Sequence, residues 1–448
     1  MNKNREFGSH LDQSEAEFTD LGRYEPGFIH LRVNTYEDLK DLRTIANMAQ
    51  PPAWASTFLH EYVHFLQDIT ATHGLLNFVH AIEHLKNGNM QVRQSTDSKF
   101  SVPLRIHNDF NWHTNTTLKA IYRGCDNPVK NVRYLRYRAT RESVPSSSGA
   151  LINPLKYHVD YYDVGEQTEV TCHFGSIHIK EFMAHAVQKQ FEPAKDHDDI
   201  PYRLVELLIE CEVPMLAENP SLMVALCDAS LMNYHPAHLF FDAIERMKTN
   251  PDSTPKDVES VYAFAYDNLR PEKCDSFDSL FEETANDAVQ HFRDSLGADI
   301  FRSNVTWFEE LIAGAGKLRL NDRGFFTRLV TSPGLFSSTF TKVVNALGTP
   351  FITNSESKGY FLPPERLNGM SIQPYYPKVF QAISYTYGGR IACSLHDFCE
   401  ADPQINRTNS DCLNKPWARV ELPKLCPYAQ MWKTWGLKGK TPRPSSGS

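Results

Sequence analysis

The sequence predicts an α+β fold, mainly helical, with a small antiparallel sheet and a helical C-terminal region. Two alternating segments, 155–164 and 167–174, flank the turn at Gly165-Glu166 and read as a β-hairpin. After them, helical periodicity recurs between turn residues over 176–191, 201–211, 219–232, 236–248, 256–269, 276–295, 300–316, 335–346 and 376–387. The third observation is segment 55–69, whose apolar residues leave almost no solvated face, the pattern of a helix enclosed in a core.

In chain order, residues 1 to about 25 are polar and expected to be loosely held. Gly27 to Val33 alternates and is β-like, and Tyr36 to Met48 is expected to be helical, capped by Asn34 or Thr35. Pro51-Pro52 stops the chain ahead of the enclosed helix, for which Ser56 or Thr57 is the expected N-cap. The next helix, over 74–87, is expected to end at Gly88 in a left-handed cap. Stretches 88–102 and 140–153 are rich in turn residues, and Ser176 stands where a cap would open the helix after the hairpin. No repeat of solenoid length occurs.

With 46 basic and 54 acidic side chains, the net charge of −8 argues against nucleic-acid binding as the main role. No apolar run reaches bilayer length, and the polar N-terminus lacks a secretory signal, so a cytoplasmic protein away from membranes is expected. Nine scattered cysteines fit reduced thiols in that compartment. The last four, Cys393, Cys399, Cys412 and Cys426, have His396 among them but lack the close pairs usual in structural zinc sites. Free or partly buried thiols are expected there.

The chemistry concentrates in the enclosed helix, which contains His60-Glu61-Tyr62-Val63-His64. Histidines four apart share one helix face, so both imidazoles can reach one metal ion, and Glu61 leans beside that face as a general base for an activated water. Two histidines, Glu61, Gln67 and Asp68 on a buried helix need partners, and an ion would satisfy several at once. A rival, His80-Ala81-Ile82-Glu83-His84, reads as HxxEH, but the Gly88 stop makes it a helix end where histidine suits the dipole. It is expected to be structural, with His73 or His80 at most lining the same cleft.

A catalytic zinc usually takes three protein ligands. Gln67 and Thr70 occupy the Gly and His positions of HExxHxxGxxH, which excludes that class. His73 would reach the metal only through a broken helix. The helix from Ser176 offers His178, Glu181, His185 and Gln188 as one polar stripe among Ile179, Phe182, Met183, Ala186 and Val187, with small Ala184 permitting close approach of another helix. Glu181 is the expected third ligand, ahead of Glu206, Glu210, Glu212 or an Asp.

HEYVH on one helix and a distant glutamate in Lys180-Glu181-Phe182-Met183-Ala184 resemble the gluzincin branch of the zincin metallopeptidases. The resemblance covers about 54–75 and 174–192; more than a hundred residues separate the motifs, and no NExxSD-like second motif is present. It implies a zincin-like catalytic core within 26–250, with a helical region over 251–437, separate or part of one lobe, and a flexible end at 438–448. It implies Zn2+ held by His60, His64 and Glu181, Glu61 as base, and a protein or peptide substrate. His185, Tyr157, Tyr161 and His235 are candidate oxyanion donors, and Asp68, Gln67 or Asp228 candidate partners for the ligand histidines. The hairpin could offer its edge to an extended peptide. The alternatives are a zinc hydrolase of a non-peptide amide or ester, and a non-catalytic zincin-like binding, toxin or defence protein.

Overall fold

The computed structural model describes residues 21–445 apart from 40, 46, 47, 49, 107–109, 147, 194–196, 272, 273, 332 and 403–406, and gives backbone only at 110, 331 and 333–337. Residues 1–20 of the loose stretch expected over 1 to about 25, and the last three residues of the chain, lie outside the described residues. The chain opens with β1 (Gly22–Glu25), β2 (His30–Val33), α1 (Ala55–Ile69) and α2 (Thr72–Gln94). There follow β3 (Lys99–Val102), α3 (Phe110–Arg123), β4 (Val132–Arg141), β5 (Val144–Pro145), β6 (Leu151–Ile152), β7 (Leu155–Asp163), β8 (Thr168–Phe174) and α4 (Ser176–Gln188). Helices then dominate: α5 (Asp199–Tyr202), α6 (Leu204–Glu212), α7 (Pro214–Ala217), α8 (Pro220–Leu231), α9 (Pro236–Thr249), α10 (Val258–Tyr266), α11 (Phe277–Ser295), α12 (Arg302–Asn321), α13 (Phe325–Thr331) and α14 (Pro333–Leu347). The last elements are β9 (Phe351–Thr353), β10 (Gly359–Tyr360), α15 (Tyr376–Tyr387), α16 (His396–Ala401), α17 (Asp411–Asn414), α18 (Pro427–Thr434) and β11 (Thr441–Pro444).

The architecture is mainly helical α+β, with several small sheets rather than one. The expected hairpin is β7 and β8, with Tyr157 opposite Phe174 and Asp163 opposite Thr168. It gains β4 as a third antiparallel strand. That strand was missed because Arg133, Arg136, Arg138 and Arg141 fill its exposed positions and a bulge between Tyr134 and Arg136 breaks the alternation. A mixed sheet runs β1-β2-β9-β10, so Gly22–Glu25 is a strand and not part of a loose terminus. Similarly, Thr441–Pro444 pairs in parallel with β3, which corrects the flexible end expected from 438.

Two helix expectations change. The described residues of 36–48 form turns, because Asp41 adopts a left-handed φ of 58° and buries Leu39, Leu42 and Ile45 without helical continuity. The second helix does not stop at Gly88 but continues to Gln94. Leu85, Gly88, Asn89 and Val92 are buried together, and Tyr387 donates its hydroxyl to Asn89. Tertiary packing thus overrides the local stop signal. The HxxEH segment consequently sits in mid-helix, with the ring of His84 stacked on Trp112 at 3.4 Å between centroids.

All residues of α1 are buried, as its sequence predicts. Ser56 and Thr57 are not its caps: Trp54 holds that position, and Ser56 Oγ donates to Glu192 Oε2 at 2.7 Å. Between α1 and α2 the chain turns so tightly that a Cβ on Gly74 would lie 2.3 Å from the Cα of Asp68. One contiguous apolar core runs from Tyr24 to Leu437 and joins the two expected regions. Among the described residues, no helix is long and apolar enough to cross a membrane.

Buried imidazoles give this core a pH dependence. Burial, as the largest cause, holds His73, His178 and His235 down to about 3. The unfolded chain takes up these protons near 6.5, whereas the folded chain resists until about 3. Stability is therefore full above 6.5 and declines as pH falls below it, by up to about 1.4 kcal/mol per pH unit for each imidazole. Thermal melting followed from pH 6.5 down to about 4 should show a steadily falling midpoint; a flat profile would contradict these buried neutral states.

Candidate metal centre

α1 and α4 pack against each other, and small, fully buried Ala184 lies one turn beyond Glu181 on α4. Across this contact His60 Nε2 lies 3.1 Å from Glu181 Oε2, and His64 Nε2 lies 3.3 Å from Glu181 Oε1. The two Nε2 atoms are 3.2 Å apart. A tetrahedral ion bound at roughly 2.05 Å from each ligand atom would hold its ligands roughly 3.3 Å from one another. The three side chains therefore form a group that can hold a metal ion.

The proton positions agree. Gln67 donates its amide to the carbonyl of Lys180 at 3.0 Å, which turns its Oε1 towards His64 Nδ1 at 2.9 Å. His64 therefore carries its proton on Nδ1 and presents a lone pair at Nε2. Two imidazole lone pairs and a carboxylate facing one point repel unless a cation or a proton lies between them. Burial alone would raise the Glu181 carboxyl, but His64 and His60 outweigh it and hold the group well below the ordinary carboxylate range. Lys180 is engaged with Asp68, 2.7 Å away, which fastens α4 to the end of α1. His60 Nδ1 is buried without a hydrogen-bond partner.

Of the candidate partners for the histidines, Gln67 alone is seen bonded to a ligand histidine. Asp68 takes Lys180, and Asp228 is bound to Arg319. His73 Nδ1 meets the carbonyl of Tyr234 at 3.0 Å and is no ligand. Glu206 pairs with Arg203, and Glu212 with Tyr134 and Lys248. The polar stripe of α4 divides: Glu181, His185 and Gln188 turn one way, while His178 stacks on Phe174 at 5.0 Å. Its Nδ1 accepts from the amide of Gly175, which holds the N-cap position expected for Ser176.

Among the oxyanion candidates, His185 is at the site and the others are engaged elsewhere. Tyr157 bonds His238 Nδ1 at 2.9 Å, His235 meets the carbonyl of Leu155 at 2.6 Å, and Tyr161 is core. The His185 ring meets that of His197 edge-on at 4.7 Å, and both of its nitrogens are buried without hydrogen-bond partners. Burial first, then Lys189, His197 and His60, holds its pKa to about 3, so the ring is neutral at ordinary pH. Two further residues were not anticipated. His197 stacks over His60 at 6.3 Å and is positioned by Gln188 Oε1 at 2.9 Å; the Tyr202 ring lies 5.9 Å from that of His60 and 4.5 Å from that of His197. Both come from a segment without periodicity, where only the cluster of His and Tyr after α4 could have drawn notice.

Glu61, buried on the same helix, lies beside β1. A Cβ on Gly22 would come within 3.1 Å of Glu61 Cγ and 2.5 Å of Thr57 Cγ2, so only glycine lets the strand approach this closely. No protein-family model, curated protein or solved structure matches the chain at a significant level.

Proposed function

We propose that the chain is a zinc-dependent metallopeptidase of zincin type, with His60, His64 and Glu181 as metal ligands and Glu61 as general base. The observation that carries this reading is the spacing of the three ligand atoms, 3.1 to 3.3 Å, with the His64 tautomer set by Gln67. A His/His/carboxylate set suits zinc, which when bound polarises a carbonyl and lowers the pKa of water. Glu61 follows His60 directly in the chain, and in this reading it accepts the proton that water loses on attacking a carbonyl carbon. Neutral His185 retains an N–H for the developing oxyanion, and the rings of His197 and Tyr202 shield the His60 side of the site from solvent.

A peptide substrate fits β1 better than the β7–β8 hairpin. At His173 the edge of β8 is already taken by the amide of Cys125, at 2.9 Å. β1 ends its sheet among the described residues and passes beside Glu61, so an extended chain added along it would run past the base. The test is to express the protein and its Glu61→Gln form in parallel and compare the two proteomes for newly formed termini. Cleavage seen only with Glu61 is expected. Identical proteomes from zinc-loaded protein would reject the peptidase and leave a metal site of other use.

A further inference from the structure

The most enclosed chemistry outside the metal centre lies at the far end of the chain. Cys393, Cys399, Cys412 and Cys426 come from four separate pieces: the turn after α15, α16, α17 and the residue that opens α18. All four line one cavity, together with Arg419 and Tyr428. None is in a disulfide. Their sequence spacing lacks the close pairs of zinc ribbons, yet the fold gathers them around a common space. The amide of Cys393 donates to the carbonyl of Cys412 at 2.8 Å, which ties the turn after α15 to α17.

Charge supplies an independent observation. Arg419 lines the same cavity and is 2% exposed. Its terminal nitrogens donate to Asn409 Oδ1 and to the carbonyl of Arg407, while its Nε is buried with no hydrogen-bond partner. Among the described residues no carboxylate pairs with it. A buried guanidinium whose hydrogen bonds go only to neutral groups is costly, and it calls for an anion in the cavity.

We propose that this cavity holds a [4Fe–4S] cluster ligated by Cys393, Cys399, Cys412 and Cys426, with Arg419 offsetting its negative charge. Four thiols give up four protons as their sulfurs bind the four irons, and the resulting complex is anionic. Size decides against one ion. Zinc at about 2.3 Å from each sulfur draws four thiolates to roughly 3.8 Å from one another. These cysteines are not among the groups whose ligand atoms lie within 4.8 Å of each other, although the His60 centre is. A cubane, with metal at each ligated corner and sulfide between, takes sulfurs spaced more widely than a single ion does. Cys426-Pro427 also matches the Cys-Pro step that follows the last ligand in bacterial ferredoxin runs.

The test is anaerobic purification of the full chain from iron-replete cells, with iron, acid-labile sulfide and zinc measured together. About four irons and four sulfides per chain are expected, with a visible charge-transfer band bleached by dithionite and an electron paramagnetic resonance signal from the reduced protein. Protein isolated without the cluster should take it up anaerobically from equal parts of ferric and ferrous iron with sulfide, which supply the two ferric and two ferrous sites and the four sulfides. Cys399→Ser with Cys412→Ser should lose iron and sulfide while keeping the ion at His60 and His64. If that variant does not fold, the wild-type sulfide content alone decides. A second zinc without sulfide, or failure of reconstitution, would overturn the cluster.

Discussion

Replacing His64 or Glu181 by alanine should take the protein from about one zinc per chain to well below that, while Glu61→Gln should keep the ion and lose the hydrolytic rate. The separation follows from geometry. His60, His64 and Glu181 meet within 3.1 to 3.3 Å of one another, so each alanine removes a ligand and leaves the other two facing an incomplete site. Glu61 belongs to none of those contacts. In the proposed mechanism its carboxylate is the proton acceptor, and the isosteric amide keeps shape while abolishing basicity. A general base contributes roughly 10²- to 10⁴-fold, so the Glu61→Gln rate should fall by that factor at unchanged zinc content. Gln67→Ala should behave as a milder ligand loss, because it frees the His64 ring and its tautomer without removing a ligand; about 10- to 100-fold weaker metal retention is expected. Plasma emission on dialysed protein reads the metal, and turnover of a substrate found by the proteome comparison reads the rate. Zinc retained in His64→Ala would place the ion elsewhere.

How far the sequence foretold this site depends on how local each signal is. His60 and His64 are one turn apart on a helix whose burial is written in its own composition, so both the helix and its ligand face could be read directly. Glu181 was legible for a related reason: a stripe of His, Glu, His and Gln on an apolar helix needs a polar partner, and α1 had one. His197 and Tyr202 carry no such signal. Their place over His60 arises from a turn after α4 that no periodicity encodes. The same contrast separates the elements. Helices such as Phe277–Ser295 announce themselves by periodicity and by a capping box at Ser276. Strands β2, β9 and β11 are four residues or fewer, and their pairing joins residues hundreds of positions apart. Gly88 misled because its local preference was outweighed by the buried face around it. The four C-terminal cysteines are free and largely buried, as expected, but their gathering around one cavity comes from tertiary folding and not from spacing.

Breaking the buried pair of Arg319 and Asp228 should produce the largest stability loss, about 3–5 kcal/mol for Arg319→Met or Asp228→Asn alone. Both side chains are essentially inaccessible, and the network around them is complete. Arg319 Nη2 donates to Asp228 Oδ1 at 2.8 Å, Tyr262 donates to Asp228 Oδ2 at 2.6 Å, and Arg319 Nε donates to the carbonyl of Thr70 at 2.7 Å. Removing one charge leaves the other buried without compensation, which costs far more than the pair gains over an apolar replacement. Replacing both at once, Arg319→Met with Asp228→Leu, should therefore recover much of the loss, and urea midpoints of the three variants measure this. The double variant also isolates what the guanidinium does for the metal centre. Thr70 is the C-cap of α1, and Arg319 places its positive charge where the helix dipole is negative, six residues beyond His64. If that contact sets the position of α1 against α4, the double variant will fold yet hold zinc more weakly than the wild type. Unchanged zinc retention in a folded double variant would show that the packing of α1 alone sets the ligand geometry.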